Sequence, residues 1–232
     1  MAKMLDLARS WKWLAGFFLL AMLAFWPSYF TQVRSTGFYT HLHAATATAW
    51  MLLLILQSWA IGTKRVALHR ASGKASYAVA PLVVATVLLL AHDRIGRAAP
   101  GEAYAIQTYI LYLQLSLVVL FALSYGLAIA YRKSVARHSR FMICTALTLI
   151  DPVAIRLLFW ADPIPGWNYQ WATFGLTDLV FLVLIWRERA NRAGRGVFPA
   201  MLAAFVLAQA PALLGLTEGA AWQAFSSWFA AL

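Results

Sequence analysis

Five histidines are the side chains of this chain best suited to bind a haem or a metal ion. Two of them end the repeated phrase K-x-V-A-x-H, first at His69 and again 69 residues later at His138. Both copies follow one long apolar run and precede another, so the phrase marks the same kind of corner twice. An iron held between two imidazoles needs ligands on facing helices at one depth. His69 and His138 are therefore predicted ligands of a b-type haem, provided that the two corners pack as a symmetric pair.

The other three histidines, His41, His43 and His92, lie near the opposite ends of their apolar runs. His43 and His92 are a second predicted pair of haem ligands. His41 and His43 form an H-x-H pair and are the candidate site for a divalent metal, although on a regular helix their side chains point roughly 200° apart. Thr46 and Gln57 fall on the helical face of His43, which predicts a polar face turned into a helix bundle. The alternative for each histidine is a structural hydrogen bond at a helix end.

Three charged residues, Asp151, Arg156 and Asp178, lie inside apolar runs. At about 1.5 Å per residue, both carboxylates are predicted at about 15 Å from the nearest basic loop, close to the middle of a bilayer. An ionisable residue at that depth is costly and is a candidate functional site. The alternative is a buried polar network in which Arg156 neutralises a carboxylate, with Gln57 as a further buried polar group. The sequence leaves both interpretations open.

The apolar runs that carry these residues predict membrane-spanning helices. The chain is 62% hydrophobic and only 12% charged, a balance that no soluble domain of 232 residues could bury in one core. A spanning helix needs about 20 mostly apolar residues. Seven stretches meet that requirement: 13–31, 38–61, 76–92, 103–131, 141–160, 171–186 and 197–216. We predict one all-α transmembrane domain over residues 1–232, in which spans 2–3 and 4–5 are a duplicated two-helix hairpin and 217–232 is an interfacial helix.

Basic residues are distributed unevenly between the two sides of this predicted bundle. With seven spans, 15 of the 19 lysines and arginines fall on the side of the N-terminus. Positive loops face the cytoplasm, so the N-terminus is predicted inside and the C-terminus outside. The net charge of +11 therefore indicates the bilayer as the partner, and not a nucleic acid.

Three segments of spans two to five resemble bacterial families of polytopic membrane proteins of unknown function. They are HLHAATATAWMLL (41–53), HRASGKASY (69–77) and RHSRFMICTALTL (137–149), followed by Arg156. The resemblance implies a location in the bacterial inner membrane and nominates His43, His69, Gly73, His138 and Arg156. It implies no activity.

Two classes of function stay open at this point. The first is a redox protein that binds haem or a metal through its histidines. The second is a non-enzymatic protein, either an accessory subunit of a larger membrane complex or a small-molecule permease. Some classes are excluded: all five lysines lie near helix ends, where none could form a retinal Schiff base inside the bundle, and no phosphate-binding glycine loop or G-x-S-x-G elbow occurs.

Overall fold

A computed structural model describes residues 10–232, and these residues form helices and no strands. The predicted all-helical fold is thus confirmed. The α-helices are α1 (Ser10–Ala24), α2 (Phe38–Gly62), α3 (Val66–Gly73), α4 (Ser76–Gly96), α5 (Glu102–Ala130), α6 (Val135–Leu147), α7 (Ile150–Ala161), α8 (Gln170–Glu188), α9 (Val197–Leu213) and α10 (Ala220–Ala230).

Four helical segments are long and apolar enough to cross a membrane: α2, α4, α5 and the consecutive pair α6–α7. This supports a membrane protein. Helices α1 and α9 are apolar but shorter, with 15 and 17 residues. Helix α8 has 19 residues, carries Asp178 in its middle and ends in charged residues. The count of seven spans stays a prediction.

Both K-x-V-A-x-H corners have the same backbone plan. Helix α2 ends at Gly62 and α3 begins at the valine of the phrase; α5 ends at Ala130 and α6 begins at the valine of the second copy. The N–H of Thr63 bonds Trp59 O, and the N–H of Tyr131 bonds Leu127 O, each at 2.9 Å. The repeated phrase therefore starts a returning helix twice. The copies diverge afterwards, because α3 stops after 8 residues and α6 continues for 13.

The predicted fifth span, 141–160, is divided between α6 and α7. The break falls at Thr148 and Leu149, where the backbone stays right-handed but leaves the regular helical hydrogen-bond pattern. Pro152 explains the position, since a proline has no N–H and its ring clashes with the carbonyl four residues earlier, here that of Thr148. The predicted fifth span is therefore a broken helix, and Asp151 follows the break directly.

Several contacts bring the basic loops together. The Tyr125 hydroxyl of α5 donates to Ser76 Oγ at the start of α4, the side chain of Arg140 on α6 pairs with Glu188 on α8, and Gly194 lies against α6. A Cβ at Gly194 would approach Ala136 O to 2.9 Å, and its φ of +75° favours glycine. We call residues 63–74, 131–140 and 187–196 the basic end of the bundle, and the opposite end, with residues 97–101 and 162–169, the far end.

Helix α10 closes the far end. Trp222 and Phe229 pack against Ile95 of α4 and Leu111 of α5, and the Trp222 indole donates to Thr108 O at 3.0 Å. Trp228 is 57% exposed. The apolar side chains of the predicted interfacial helix are thus divided between the bundle and the surface.

Candidate functional site

Gln57 closes the first corner from its position on α2. With its amide nitrogen toward His69, Nε2 lies 3.1 Å from the carbonyl oxygen and 2.6 Å from Nδ1 of that residue. Oε1 then accepts from the Gly73 N–H at 3.0 Å and lies 2.7 Å from Ser72 Oγ. This orientation follows from chemistry, because the Gly73 N–H can only donate and the His69 carbonyl can only accept. One amide therefore joins the middle and the end of α3 to α2.

The phrase HRASGKAS extends this network toward α5. Ser76 Oγ donates to Gly73 O at 2.7 Å, and the Tyr125 hydroxyl of α5 donates to Ser76 Oγ at 3.0 Å. A Cβ at residue 73 would lie 3.3 Å from the Gln57 amide, so glycine allows the close approach. The residues nominated by family resemblance at this corner, His69 and Gly73, are thus both part of a hydrogen-bonded helix turn.

The two corner histidines carry their protons on different nitrogens. Nδ1 of His138 lies 2.9 Å from Ala128 O, which can only accept, so Nδ1 holds the hydrogen and Nε2 has a lone pair. Nδ1 of His69 accepts from Gln57, so the hydrogen of the neutral ring is on Nε2. Burial lowers the pKa of His69, a hydrogen bond with the Gln57 backbone opposes that shift, and the nearby His138 and Arg70 lower the pKa further.

These protonation states test the fit of a bis-histidine haem. Each iron ligand needs a bare Nε2 and a protonated Nδ1. His138 meets that condition. His69 would meet it only if the Gln57 amide were rotated by half a turn, with its oxygen toward Nδ1. The amide N–H of Gln57 would then face the Gly73 N–H, and two donors would be opposed. The geometry therefore favours His138 as a ligand more than His69.

One basic residue of the second corner is buried and paired. The side chain of Arg140 is 2% exposed and forms a salt bridge with Glu188. Its Nη1 also donates to Ala136 O at 2.5 Å. Glu188 was not predicted from the sequence. The feature that could have identified it is its position as the single acidic residue among the arginines between 187 and 195.

The other three histidines contact three separate elements. Nδ1 of His41 lies 2.9 Å from the Tyr29 hydroxyl, before α2, and Nδ1 of His43 lies 3.4 Å from Thr86 Oγ1 on α4. His92 packs edge-on against Phe229 of α10, with ring centroids 5.8 Å apart. His41 and His43 are both in the regular part of α2, so they do not converge. Within residues 10–232, no three side chains of metal-binding type form a group.

Asp151 is the centre of a second polar cluster, between α7 and α8. Its Oδ1 accepts from Gln170 Nε2 at 2.5 Å and from the Thr173 hydroxyl, and the carboxyl is buried. A cavity of about 20 Å³ adjoins it, large enough for one water. The polar side chains that line this cavity with Asp151 are Ser116, Thr177 and Gln209.

The predicted equal depth of the two carboxylates is wrong. Asp151 contacts the first turn of α8, whereas Asp178 lies five residues beyond Thr173, about 7.5 Å further along the axis. Counting from the basic loops assumed straight helices in register. The two contacts that join the helices, Arg140 with Glu188 and Asp151 with Thr173, are instead separated by 11 residues on α6–α7 and 15 on α8.

The three membrane charges do not form one ion-paired network. Arg156 Nη1 donates to Pro152 O at 2.7 Å, and its guanidinium lies 4.2 Å from the centroid of the Phe25 ring, just after α1. Asp178 accepts from Gln209 at 3.1 Å. Asp151 and Arg156 influence each other only through space. Gln57, predicted with this group, belongs to the first corner.

This fold and these clusters define a class: a helical membrane protein with ionisable side chains inside its bundle. No family model, curated protein or solved structure matches the chain. The function therefore has to be inferred from the geometry of the polar clusters.

Proposed function

We propose that this protein is a small-molecule permease of the bacterial inner membrane, in which Asp151 binds and releases a proton. The observation that carries the proposal is a buried carboxylate directly after a break inside a spanning helix. Broken spanning helices free backbone groups from the helical pattern, and transporters use them for substrate and coupling-ion sites. A side chain with a purely structural role in a membrane protein would not need an ionisable group, whose burial in the bilayer costs free energy.

The hydrogen bonds of Asp151 suit a proton site. Thr173 and Gln170 both donate to Oδ1, so Oδ2 is the oxygen that takes up the proton. The adjoining water-sized cavity supplies a path for that proton toward Gln209 and Thr177. Protonation then removes a buried charge while both bonds to Oδ1 stay in place.

In this proposal α1, α8 and α9 complete seven spans, with the basic end in the cytoplasm. The positive loops support that orientation. The short α1 and α9 span by local thinning of the bilayer or by their flanking turns.

The experiment is proton flux in liposomes. Purified protein is reconstituted with a pH-sensitive dye inside, and a panel of sugars, amines and small carboxylic acids is added outside. We expect at least one class to drive a pH change in wild type that is lost in Asp151→Asn. Glu218→Gln, at an exposed carboxylate of the far end, is the matched control and should behave as wild type. A wild type that moves no solute of the panel faster than empty liposomes contradicts the permease.

A second candidate function, haem binding, is favoured by His138, whose Nδ1 is held by Ala128 O and whose Nε2 is left to bind iron. Its test is the absorption spectrum of protein purified from haem-replete cells. A Soret band that is lost in both His69→Ala and His138→Ala would show that the two histidines ligate haem. A colourless wild type would reject it.

A further inference from the structure

The cavity beside Asp151 lies where five helices meet. Its polar side chains come from four of them: Ser116 from α5, Asp151 from α7, Thr177 from α8 and Gln209 from α9. Leu147, the last residue of α6, also lines the cavity, so the break in the predicted fifth span borders it. At about 20 Å³ the cavity has room for one water or for one ion of similar size.

The carboxylate of Asp151 has no cationic side chain in contact with it. Within residues 10–232 the ion pairs of the acidic side chains join Asp93 to Arg97 and Glu188 to Arg140. Arg156, on the same helix as Asp151, donates to a backbone carbonyl at 2.7 Å and not to the carboxylate. A buried carboxylate is costly unless it takes up a proton or is paired with a positive charge.

The polar side chains of the cavity present mainly oxygen acceptors. Ser116 Oγ donates its hydrogen to the carbonyl three residues earlier, at 3.0 Å, and Thr177 Oγ1 donates to the carbonyl four residues earlier, at 2.9 Å. Gln209 directs Nε2 to Asp178 Oδ1 at 3.1 Å, which leaves Oε1 as its acceptor. Both donors from α8 bond Oδ1 of Asp151, so Oδ2 is a further acceptor.

This set of acceptors suits a cation better than a water. A water donates two hydrogens, and the lone pairs of its oxygen need donors in turn. Both hydroxyl hydrogens are already used, so an ionised Asp151 leaves the second N–H of Gln209 as the one donor of the four side chains. A hard cation needs only oxygen ligands. A single carboxylate balances one positive charge, and the water-sized volume favours sodium over the larger potassium.

We infer that Asp151, Ser116, Thr177 and Gln209 form a sodium site, in which the ion takes the place of the Asp151 proton. Transporters with broken spanning helices bind coupling ions at the break, which is where this cavity lies. The inference rests on the proposed function, since a buried carboxylate that releases its proton needs another positive charge beside it. It names sodium as the ion that is exchanged for that proton.

The experiment measures sodium binding without transport. Purified protein in detergent micelles, in a sodium-free buffer, is titrated with sodium, potassium or choline chloride at constant ionic strength. The midpoint of thermal unfolding and the heat of binding are recorded. We expect saturable stabilisation of wild type by sodium, binding of potassium at least about tenfold weaker, and no binding of choline.

Two variants test the ligands. Thr177→Val removes one ligand oxygen, leaves the carboxylate in place and should weaken sodium binding at least about tenfold. Asp151→Asn removes the charge that balances the ion and should abolish binding. Thr145→Val is the matched control for Thr177→Val, because Thr145 is also buried and donates to a helix carbonyl, at 2.6 Å, but does not line the cavity. It should bind sodium as wild type does.

Equal stabilisation by the three salts overturns the inference, and so does sodium binding that is unchanged in either Thr177→Val or Asp151→Asn. A wild type without any response to sodium overturns it as well and leaves the cavity to a water. If Asp151→Asn does not fold, Thr177→Val and Ser116→Ala still decide the outcome.

Proton flux in liposomes with choline in place of sodium distinguishes this inference from the proposed function. A wild type that moves a solute with protons but does not bind sodium retains the permease and loses the sodium site. A wild type that binds sodium through Asp151 and Thr177 but moves no solute retains the site and removes the permease.

Discussion

The two K-x-V-A-x-H corners begin identically and are stabilised by different means. In the first, the histidine is held by a side chain, Gln57, which also bonds the end of the short helix α3. In the second, the histidine donates to a backbone carbonyl, that of Ala128, and the next turn adds the buried pair of Arg140 with Glu188. A shared sequence phrase therefore fixes where a helix begins and leaves open what it packs against.

Each histidine therefore has a structural role in its corner that does not require it to bind a haem or a metal ion. In both corners Nδ1 joins the returning helix to the preceding one, and this bond needs only a donor or acceptor in reach. The copies differ two residues after the histidine, where the first has Ala71 and the second has Arg140. The second corner consequently depends on α8, whereas the first depends on α2.

Breaking the ion pair of the second corner should have the largest effect. Glu188→Leu leaves the guanidinium of Arg140 buried without its carboxylate, and we expect the free energy of unfolding to fall by about 3–5 kcal/mol. Reversible unfolding in mixed detergent micelles measures it. Arg187→Leu, at the exposed neighbour on α8, should change it by less than about 0.5 kcal/mol. Wild-type stability in Glu188→Leu would show that the pair does not hold this corner.

The first corner should respond next most strongly, to Gln57→Leu. The variant removes the amide bonds to the Gly73 N–H, the His69 carbonyl and His69 Nδ1, which should cost about 1–3 kcal/mol in unfolding free energy. Gln32→Leu makes the same change at an exposed position and is the control. Equal stability of the two variants would contradict the bridging role of Gln57.

The histidine of the second corner should contribute less than Gln57. His138→Phe removes one hydrogen bond, to Ala128 O, and we expect a loss of about 0.5–1.5 kcal/mol. His138→Asn can still donate to that carbonyl and should retain part of the stability. If His138→Phe were as damaging as Glu188→Leu, the ranking of the two contacts would be wrong.

The sequence predicted the corners better than their partners. The apolar runs predicted membrane helices, and the repeated phrase predicted two equivalent helix starts, because both signals are local. The polar face of α2 predicted that Gln57 points inward. Its contact with residues 69 to 73 depends on how tightly the corner turns, which no spacing along α2 reveals.

The remaining errors concern long-range geometry. Arg140 could not be told from the other basic residues near it, since topology alone explains an excess of arginines there. Its contact with Glu188 joins residues 48 positions apart. The predicted depth of Asp151 was wrong because a residue count carries no information on the register of α8 against the broken helix. Pro152 was visible in the sequence. Because a proline ring clashes with the carbonyl four residues earlier, Pro152 could have located the break.

The smallest expected effect is a pH dependence that belongs to the first corner. Burial lowers the pKa of His69 in the folded protein, so the folded state binds fewer protons than the unfolded chain as the pH falls through about 6.5. The contribution of the neutral ring is therefore present above that pH and is lost on acidification. We expect wild type to lose more stability between pH 7.5 and pH 5 than His69→Gln, which does not titrate. The difference should be small, since the ring is only partly buried and water screens its charge. Unfolding in micelles at pH 7.5, 6.0 and 5.0 measures it, and parallel pH profiles for the two proteins would show that His69 is not held in its neutral form by the fold.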